Sequence, residues 1–458
     1  MEKKLLLTFA CLMFLGFSAC EKFVQIAPPK NQAELSRIFE NDQTAVAATT
    51  GLYTQLIASS LLFCNGGMTI YPALSADELV NVTSSTLTDS FRNNQLLADN
   101  TTIGSTFWSN PYKNIFHANA VIEGLQNSSQ VTPKLKERLL AEMLYIRALH
   151  HFYLLNLFGN VPLINTTDYE KNGNMARVEA SVIFLNLIND LLKAKLYLTN
   201  NTTEQNRVNK ETVTALLARI YLYQGDWQNA ATQASEVLNS GKYSLEPLVA
   251  VFLAGSKEAL LSLARPGANT AEGTALIPSS ATTRPAYVIS DALNDAFENG
   301  DNRKTTWLKS NVVSGITYTH PFKYKIRTGT TVTENYVVQR LAEVYLISAE
   351  AKAQLNDLAG AITDIDRIRQ RAGVPLIKAT HPAIGKEALL KLIMKERQVE
   401  LFCEWGHRWF DLKRMNKADE ILGVVKAPTW KPDAVLYPIP LAELQKNPNL
   451  TQNSGYFN

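Results

Sequence analysis

Cysteine is scarce. Four thiols in 458 residues are too few to staple a disulfide-dense scaffold. An excess of one charge is also missing. With 45 Lys and Arg against 42 Asp and Glu, the formal net charge is +3, which excludes nucleic-acid binding by bulk electrostatics, a mode that needs a basic stripe or face. Only six histidines occur, at positions 117, 150, 151, 320, 381 and 407. No His-x-Glu-x-x-His pairing, Gly-x-Ser-x-Gly elbow, phosphate loop or dinucleotide fingerprint is present. The chain therefore reads as a non-enzyme without cofactor or bound metal. Beyond the N-terminus no apolar run reaches the ~20 residues needed to span a bilayer. What is there is 46% hydrophobic and 19% charged, a globular composition. It suffices for about three core-sized units or one large irregular fold.

The N-terminus has its own pattern. Lys3 and Lys4 precede an apolar run over 5–17, and Ser18-Ala19 stand before Cys20. This is the order of a secretory signal over residues 1–19. Small residues directly before a cysteine resemble the lipobox of bacterial lipoproteins, so Cys20 is the expected lipidation site. Several acyl chains anchor firmly where one is marginal. An ordinary signal peptide with a chance cysteine is the alternative. Residues 20–34, with Pro28-Pro29, read as an extended tether before one domain over 35–458. Cys64 and Cys403 are expected to be unpaired.

Helical patterns dominate that domain, which is expected to be mostly α. Apolar stripes run over 35–60, 107–125, 134–157 and 181–198. Pro133 opens the third, and Gly159 with Pro162 closes it. Two helix pairs repeat at an offset of 131: Ala218, Asp226 and Ala230 in 209–238 match Ala349, Asp357 and Ala361 in 345–371. Small residues where helices cross, with a tight turn between, follow tetratricopeptide logic. Helix pairs of this kind are expected to form a helical-repeat scaffold. Segments 68–106 and 243–334 interrupt it. They are rich in polar and turn-forming residues, and are expected to be long irregular insertions with short β-leaning runs at 259–263 and 336–338.

Several strings together are similar to one family. Phe39-Glu40-Asn41-Asp42, Trp108 with Tyr112, and Phe158-Gly159-Asn160-Val161-Pro162-Leu163 come first. Ala215 to Leu222 follows, then Gly225-Asp226-Trp227. The most specific stretch is Glu396-Arg397, Glu400-Leu401 and the run from Glu404-Trp405-Gly406 to Arg414. Leu436-Tyr437-Pro438-Ile439-Pro440 and Gln452-Asn453-Ser454-Gly455-Tyr456 close the set. The chain resembles the SusD/RagB family of nutrient-binding lipoproteins of Bacteroidota, from Cys20 to the C-terminus. The resemblance implies an outer-membrane lipoprotein facing the exterior. It would sit over a SusC-like TonB-dependent transporter and capture oligosaccharides, or sometimes peptides, for import.

The C-terminal charges allow two readings. Glu396, Glu400 and Glu404 recur on one helix face, with His407 and Asp411 beyond. Paired carboxylates can hydrolyse glycosides. Arg397, Arg408, Lys413 and Arg414 are interleaved with them, and neighbouring cations disfavour a neutral general acid. A structural ion-pair network is therefore expected. Asp77-Glu78 and Asp99-Asn100 are no more than weak candidates for calcium. Sugar capture needs aromatic faces plus planar polar groups. The first insertion offers Tyr71, Asn81, Phe91, Arg92, Asn93 and Asn94; the second offers Arg284, Tyr287, Trp307 and Tyr318. These ten are the candidate ligand contacts. A peptide ligand on the same scaffold and a surface hydrolase remain the alternatives.

Overall fold

The 131-residue offset is matched in backbone geometry. At the end of one helix Gly225 is left-handed, with φ 72, and at the equivalent place Asn356 has φ 65. Each is followed by an aspartate that caps the next helix: Asp226 accepts from the Asn229 N–H at 3.1 Å, and Asp357 from the Gly360 N–H at 2.9 Å. A left-handed residue ends one helix without strain when it is Gly or Asn, and Asp starts the next. The tight turn between paired helices is thus written into two consecutive positions.

The structure, a computed structural model, describes residues 38–198 and 204–456. Cys20 and the expected signal and tether lie outside the described residues. The chain runs through α1 (Asp42–Leu56), α2 (Met68–Ser75), β1 (Leu79–Asn81), α3 (Thr86–Arg92), α4 (Asn110–Asn127), α5 (Pro133–Phe158), α6 (Tyr169–Gly173) and α7 (Ala180–Tyr197). The first repeated pair is α8 (Lys210–Gln224) and α9 (Trp227–Leu238). Then come β2 (Ala259–Leu263), α10 (Ala271–Leu276), β3 (Tyr287–Ile289), α11 (Asp291–Ala296), α12 (Asn302–Trp307), β4 (Leu308–Val313), β5 (Ile316–Pro321) and β6 (Tyr336–Arg340). The second pair is α13 (Leu341–Gln354) and α14 (Leu358–Ala372), followed by α15 (Ile377–Thr380), α16 (Lys386–Leu401), α17 (His407–Arg414), α18 (Ala418–Val425) and α19 (Leu441–Lys446).

The long helices pack in succession: α4 on α5, α5 on α7, α7 on α8, α8 on α9, α9 on α13, and α13 on α14 and α16. Ala218, Ala230, Ala349 and Ala361 are all fully buried, which lets the paired helices approach closely. The two β-leaning runs are strands, and they pair with each other, β2 antiparallel to β6.

Segment 68–106 departs from expectation. It carries α2, α3 and a π-helical turn over Ile103–Ser109 instead of being irregular. Every residue of α2 is buried, so it has no polar face and no periodicity to read. Segment 243–334 holds three short helices and three two-stranded pairings or parts of them.

Candidate functional site

The C-terminal charges are the first place to look for chemistry. Arg340 is fully enclosed. It donates to Glu258 at 2.9 Å, to Glu400 at 2.5 Å, and to both oxygens of Glu404 at 2.7 and 2.8 Å. Arg303 joins Asp301, Glu396 and Glu400, and Arg371 bridges Glu258 and Glu400. Burial by itself raises a carboxyl, yet Arg371, Arg340 and Arg303 hold Glu400 far below the usual carboxylate range. Glu404 is lowered in the same way, burial being outweighed by Arg340 and Lys323. Neither carboxyl is a neutral proton donor. Glu404 and His407 have Glu-x-x-His spacing, but burial and the surrounding arginines keep His407 neutral. A structural ion-pair network is present, but Glu396, Glu400 and Glu404 take their counter-charges from Arg303, Lys323, Arg340, Arg369 and Arg371, while the interleaved Arg397, Arg408 and Arg414 pair with Asp411, Asp77 and Glu350.

Among the described residues no group of three or more His, Cys, Asp and Glu could hold a metal. Asp77 forms a two-pronged pair with Arg408, both contacts 2.7 Å. Asn100 uses its side-chain oxygen to accept from the Thr102 and Ile103 N–H groups. Cys64 and Cys403 are buried free thiols.

The ten candidate ligand contacts divide by burial. Phe91 and Trp307 are both 0% exposed, so neither ring has a face for a ligand. Phe91 packs on Tyr71 with centroids 4.7 Å apart, and on Phe107 and Tyr437. Trp307 donates to the Leu248 carbonyl at 2.9 Å, and the Lys323 ammonium lies 4.8 Å from its ring centroid. Tyr71, Asn81 and Asn94 are buried too. Asn94 donates to the Ser75 carbonyl and accepts from Lys426 at 2.8 Å. Asn81 donates to Asp89 at 2.7 Å and to the Thr83 carbonyl. For these five the expected ligand role gives way to packing. In sequence, an aromatic beside polar residues looks the same on a surface and at the edge of a core.

The other five keep solvent access, and the fold brings most of them together. Arg92 and Arg284 are exposed, while Asn93, Tyr287 and Tyr318 are half-buried. β1 pairs antiparallel with β3, placing Tyr287 opposite Asn81. β3 also packs against β5 of the β4–β5 hairpin, whose Ser314-Gly315 turn has φ 52 and 78, as a right-twisted two-residue hairpin requires. Asn311 is opposite Tyr318 in that hairpin. Its amide donates to the Ser280 and Thr283 carbonyls at 3.0 and 3.3 Å, which pins the loop leading to Arg284. The Arg284 guanidinium consequently lies 6.0 Å from the Tyr318 ring centroid, within cation–π range. α3, ending at Arg92, packs against β1 and extends the face.

A groove of about 480 Å³ adjoins Asn94 and draws in Gln95, Leu97, Lys431, Asp433 and Tyr456. Sequence reasoning assigned no ligand contact to 429–456. The one available signal was Tyr456, at the end of the closing motif. Ring faces beside guanidinium and amide groups suit a ligand that presents apolar C–H faces and hydroxyls together.

Comparison with known proteins decides the relationship. A family model described as "SusD family" matches residues 260–456, and one described as "Starch-binding associating with outer membrane" matches 64–222. The chain belongs to the SusD/RagB family. SusD-like protein P2 of Formosa agariphila is 28% identical over 426 residues, covering 80% of this chain and 83% of the relative. SusD-like protein P25 of the same organism is 23% identical, covering 98% and 99%. A SusD superfamily structure from Bacteroides vulgatus superposes with TM-score 0.80 at 20% identity, over 91% of this chain and all of that one. A structure described as a laminarin-binding SusD-like protein superposes with TM-score 0.76 at 25% identity, over 91% and 100%. The mostly α, tetratricopeptide-like scaffold read from sequence is the SusD-family fold.

Proposed function

We propose that this chain is a lipid-anchored outer-membrane protein that captures oligosaccharide at the β1–β3 face and delivers it to a SusC-like TonB-dependent transporter. It does so as a binding protein, not as an enzyme. The carrying observation is the solvent-facing group of Arg284, Tyr287 and Tyr318, with both tyrosines on paired strands and Arg284 at the end of a loop pinned by Asn311. Arg92 and Asn93, at the end of the helix that packs on β1, are further hydrogen-bond donors with solvent access. The "associating with outer membrane" wording of one matched model and the laminarin-binding neighbour support the location and the ligand class. Residues 1–19 are the signal, 20–34 the tether and 35–458 the single folded domain. Cys20 carries the lipid.

The test is an oligosaccharide array probed with the soluble Cys20→Ala protein, followed by calorimetry on each glycan retained. The Arg284→Ala/Tyr318→Ala pair is expected to weaken binding roughly tenfold or more, the scale of one lost stack and one lost charged hydrogen bond. Retention of peptides and no glycans would transfer the site to the peptide reading. Unchanged glycan affinity in the double variant would remove these residues from it.

A further inference from the structure

A second aromatic cluster lies away from the β1–β3 face. Trp108, in the π-helical turn Ile103–Ser109 that leads into α4, and Tyr112 and Phe116 in α4 stand every fourth residue, so they form one stripe. Trp108 and Tyr112 have ring centroids 5.1 Å apart, and the Tyr112 hydroxyl donates to the Pro162 carbonyl at 2.9 Å. Tyr169 faces the same groove, which encloses about 350 Å³ and is closed on its far side by Glu443, Lys446 and Asn447. Tyr169 is 78% exposed and Phe116 43%. Leaving that much ring in water forgoes burial free energy.

The loop that presents Tyr169 is fixed at several points. Asp168 caps α6 through the Glu170 and Lys171 N–H groups, both 3.1 Å. Thr167 N–H donates to Glu123 at 2.9 Å. Asn447 and Asn449 donate to the Met175 and Asn174 carbonyls at 2.9 and 2.7 Å. An exposed ring on an immobilised loop costs a ligand little ordering entropy. Asn172, in the groove wall, donates to the Thr166 carbonyl at 2.7 Å, but its side-chain oxygen is buried without a partner.

We infer that this groove is a second saccharide site, separate from the β1–β3 face and built from none of the same residues. The inference rests on the glycan-capture reading. A pyranose has an apolar C–H face for the Tyr169 and Phe116 rings. Its hydroxyls answer the Glu443–Lys446 pair and the Asn172 oxygen after a small loop adjustment. A purely aliphatic occupant would bury that carboxylate and ammonium without replacing their water.

The test uses the same soluble Cys20→Ala protein and array, with Tyr169→Ala, Tyr169→Phe and the Arg284→Ala/Tyr318→Ala pair compared by calorimetry on every retained glycan. The expected result is loss of one binding event per molecule, or a weakening of about five- to tenfold, in Tyr169→Ala. Tyr169→Phe should keep wild-type behaviour, because it keeps the ring. Circular dichroism melts matching wild type show that the exposed substitution leaves the fold intact. Wild-type stoichiometry and affinity in Tyr169→Ala, with binding lost in the Arg284/Tyr318 variant, overturn the second site and leave the glycan reading standing. Loss of transporter co-purification in Tyr169→Ala with sugar binding unchanged also overturns it and makes the groove a protein contact. If wild type retains no glycan, both readings fall together.

Discussion

Arg340 spends all its donors inside the protein, making five hydrogen bonds to Glu258, Glu400 and Glu404 while 1% exposed. Removing Arg340 leaves the buried Glu258, Glu400 and Glu404 with only Arg371, Arg303 and Lys323 as counter-charges and with acceptor positions unfilled. Arg340→Met is therefore expected to cost about 3–5 kcal/mol in denaturant unfolding; a loss under 1 kcal/mol would show that the network is not integral to the core. Glu78 shows the reverse electrostatics. Burial, then the neighbouring Asp77, pushes its carboxyl up to about 8, against a partial offset from the Cys403 N–H, and one of its oxygens has no partner. The folded group keeps its proton up to about pH 8, whereas the unfolded one releases it near 4.5. Its contribution to stability is complete below 4.5 and is lost as pH rises through 8. Glu78→Gln, which cannot ionise, should match wild type near pH 4 and exceed it by roughly 2–4 kcal/mol at pH 9. Equal pH profiles for the two proteins would contradict this. Glu78 was visible in the sequence only as half of an acidic pair. Apart from Asp77, its neighbours Lys323, Cys403 and Arg408 lie far along the chain, and local sequence does not join them to it.

At the scale of elements, the repeated turn was the most legible feature. A left-handed Gly or Asn followed by a capping Asp is a local instruction needing no tertiary partner. Asp357→Ala should lower stability by about 1 kcal/mol, and Asp226→Ala by a similar amount, with the double variant near their sum; denaturant midpoints at unchanged slope check this. The β-leaning runs at 259–263 and 336–338 were legible for the same local reason, but their mutual pairing was not. Helix α2 was hidden for the opposite reason. It is enclosed on all sides and contains Pro72, so both periodicity and propensity argue against it, and packing overrides them. The aromatic stripe of Trp108, Tyr112 and Phe116 was read as helix, and correctly so. That its outer end faces a groove closed by residues 443–450 was outside the reach of the stripe itself.

For the whole molecule, the proposal makes demands on the membrane and on the partner. Among the described residues no helix is long and apolar enough to cross a bilayer. The proposed attachment is a lipid on Cys20. Cys20→Ala should move the protein from the membrane to the soluble fraction; retention after a carbonate wash would place the anchor elsewhere. Purification from outer membranes in gentle detergent should recover a TonB-dependent transporter in comparable amount, and consistent elution alone would remove the delivery step. The sequence by itself determined the helical class, the repeat, the family and the charge pattern of the C-terminal motif, because these depend on periodicity, caps and contiguous strings. Tertiary structure alone decided which candidate contacts reach solvent. Phe91 and Trp307 turn inward while Tyr287 and Tyr318 remain at the surface, and the Asn311 amide sets Arg284 over Tyr318. Burial depends on what distant chain packs against a residue, and those partners lie tens to hundreds of positions away.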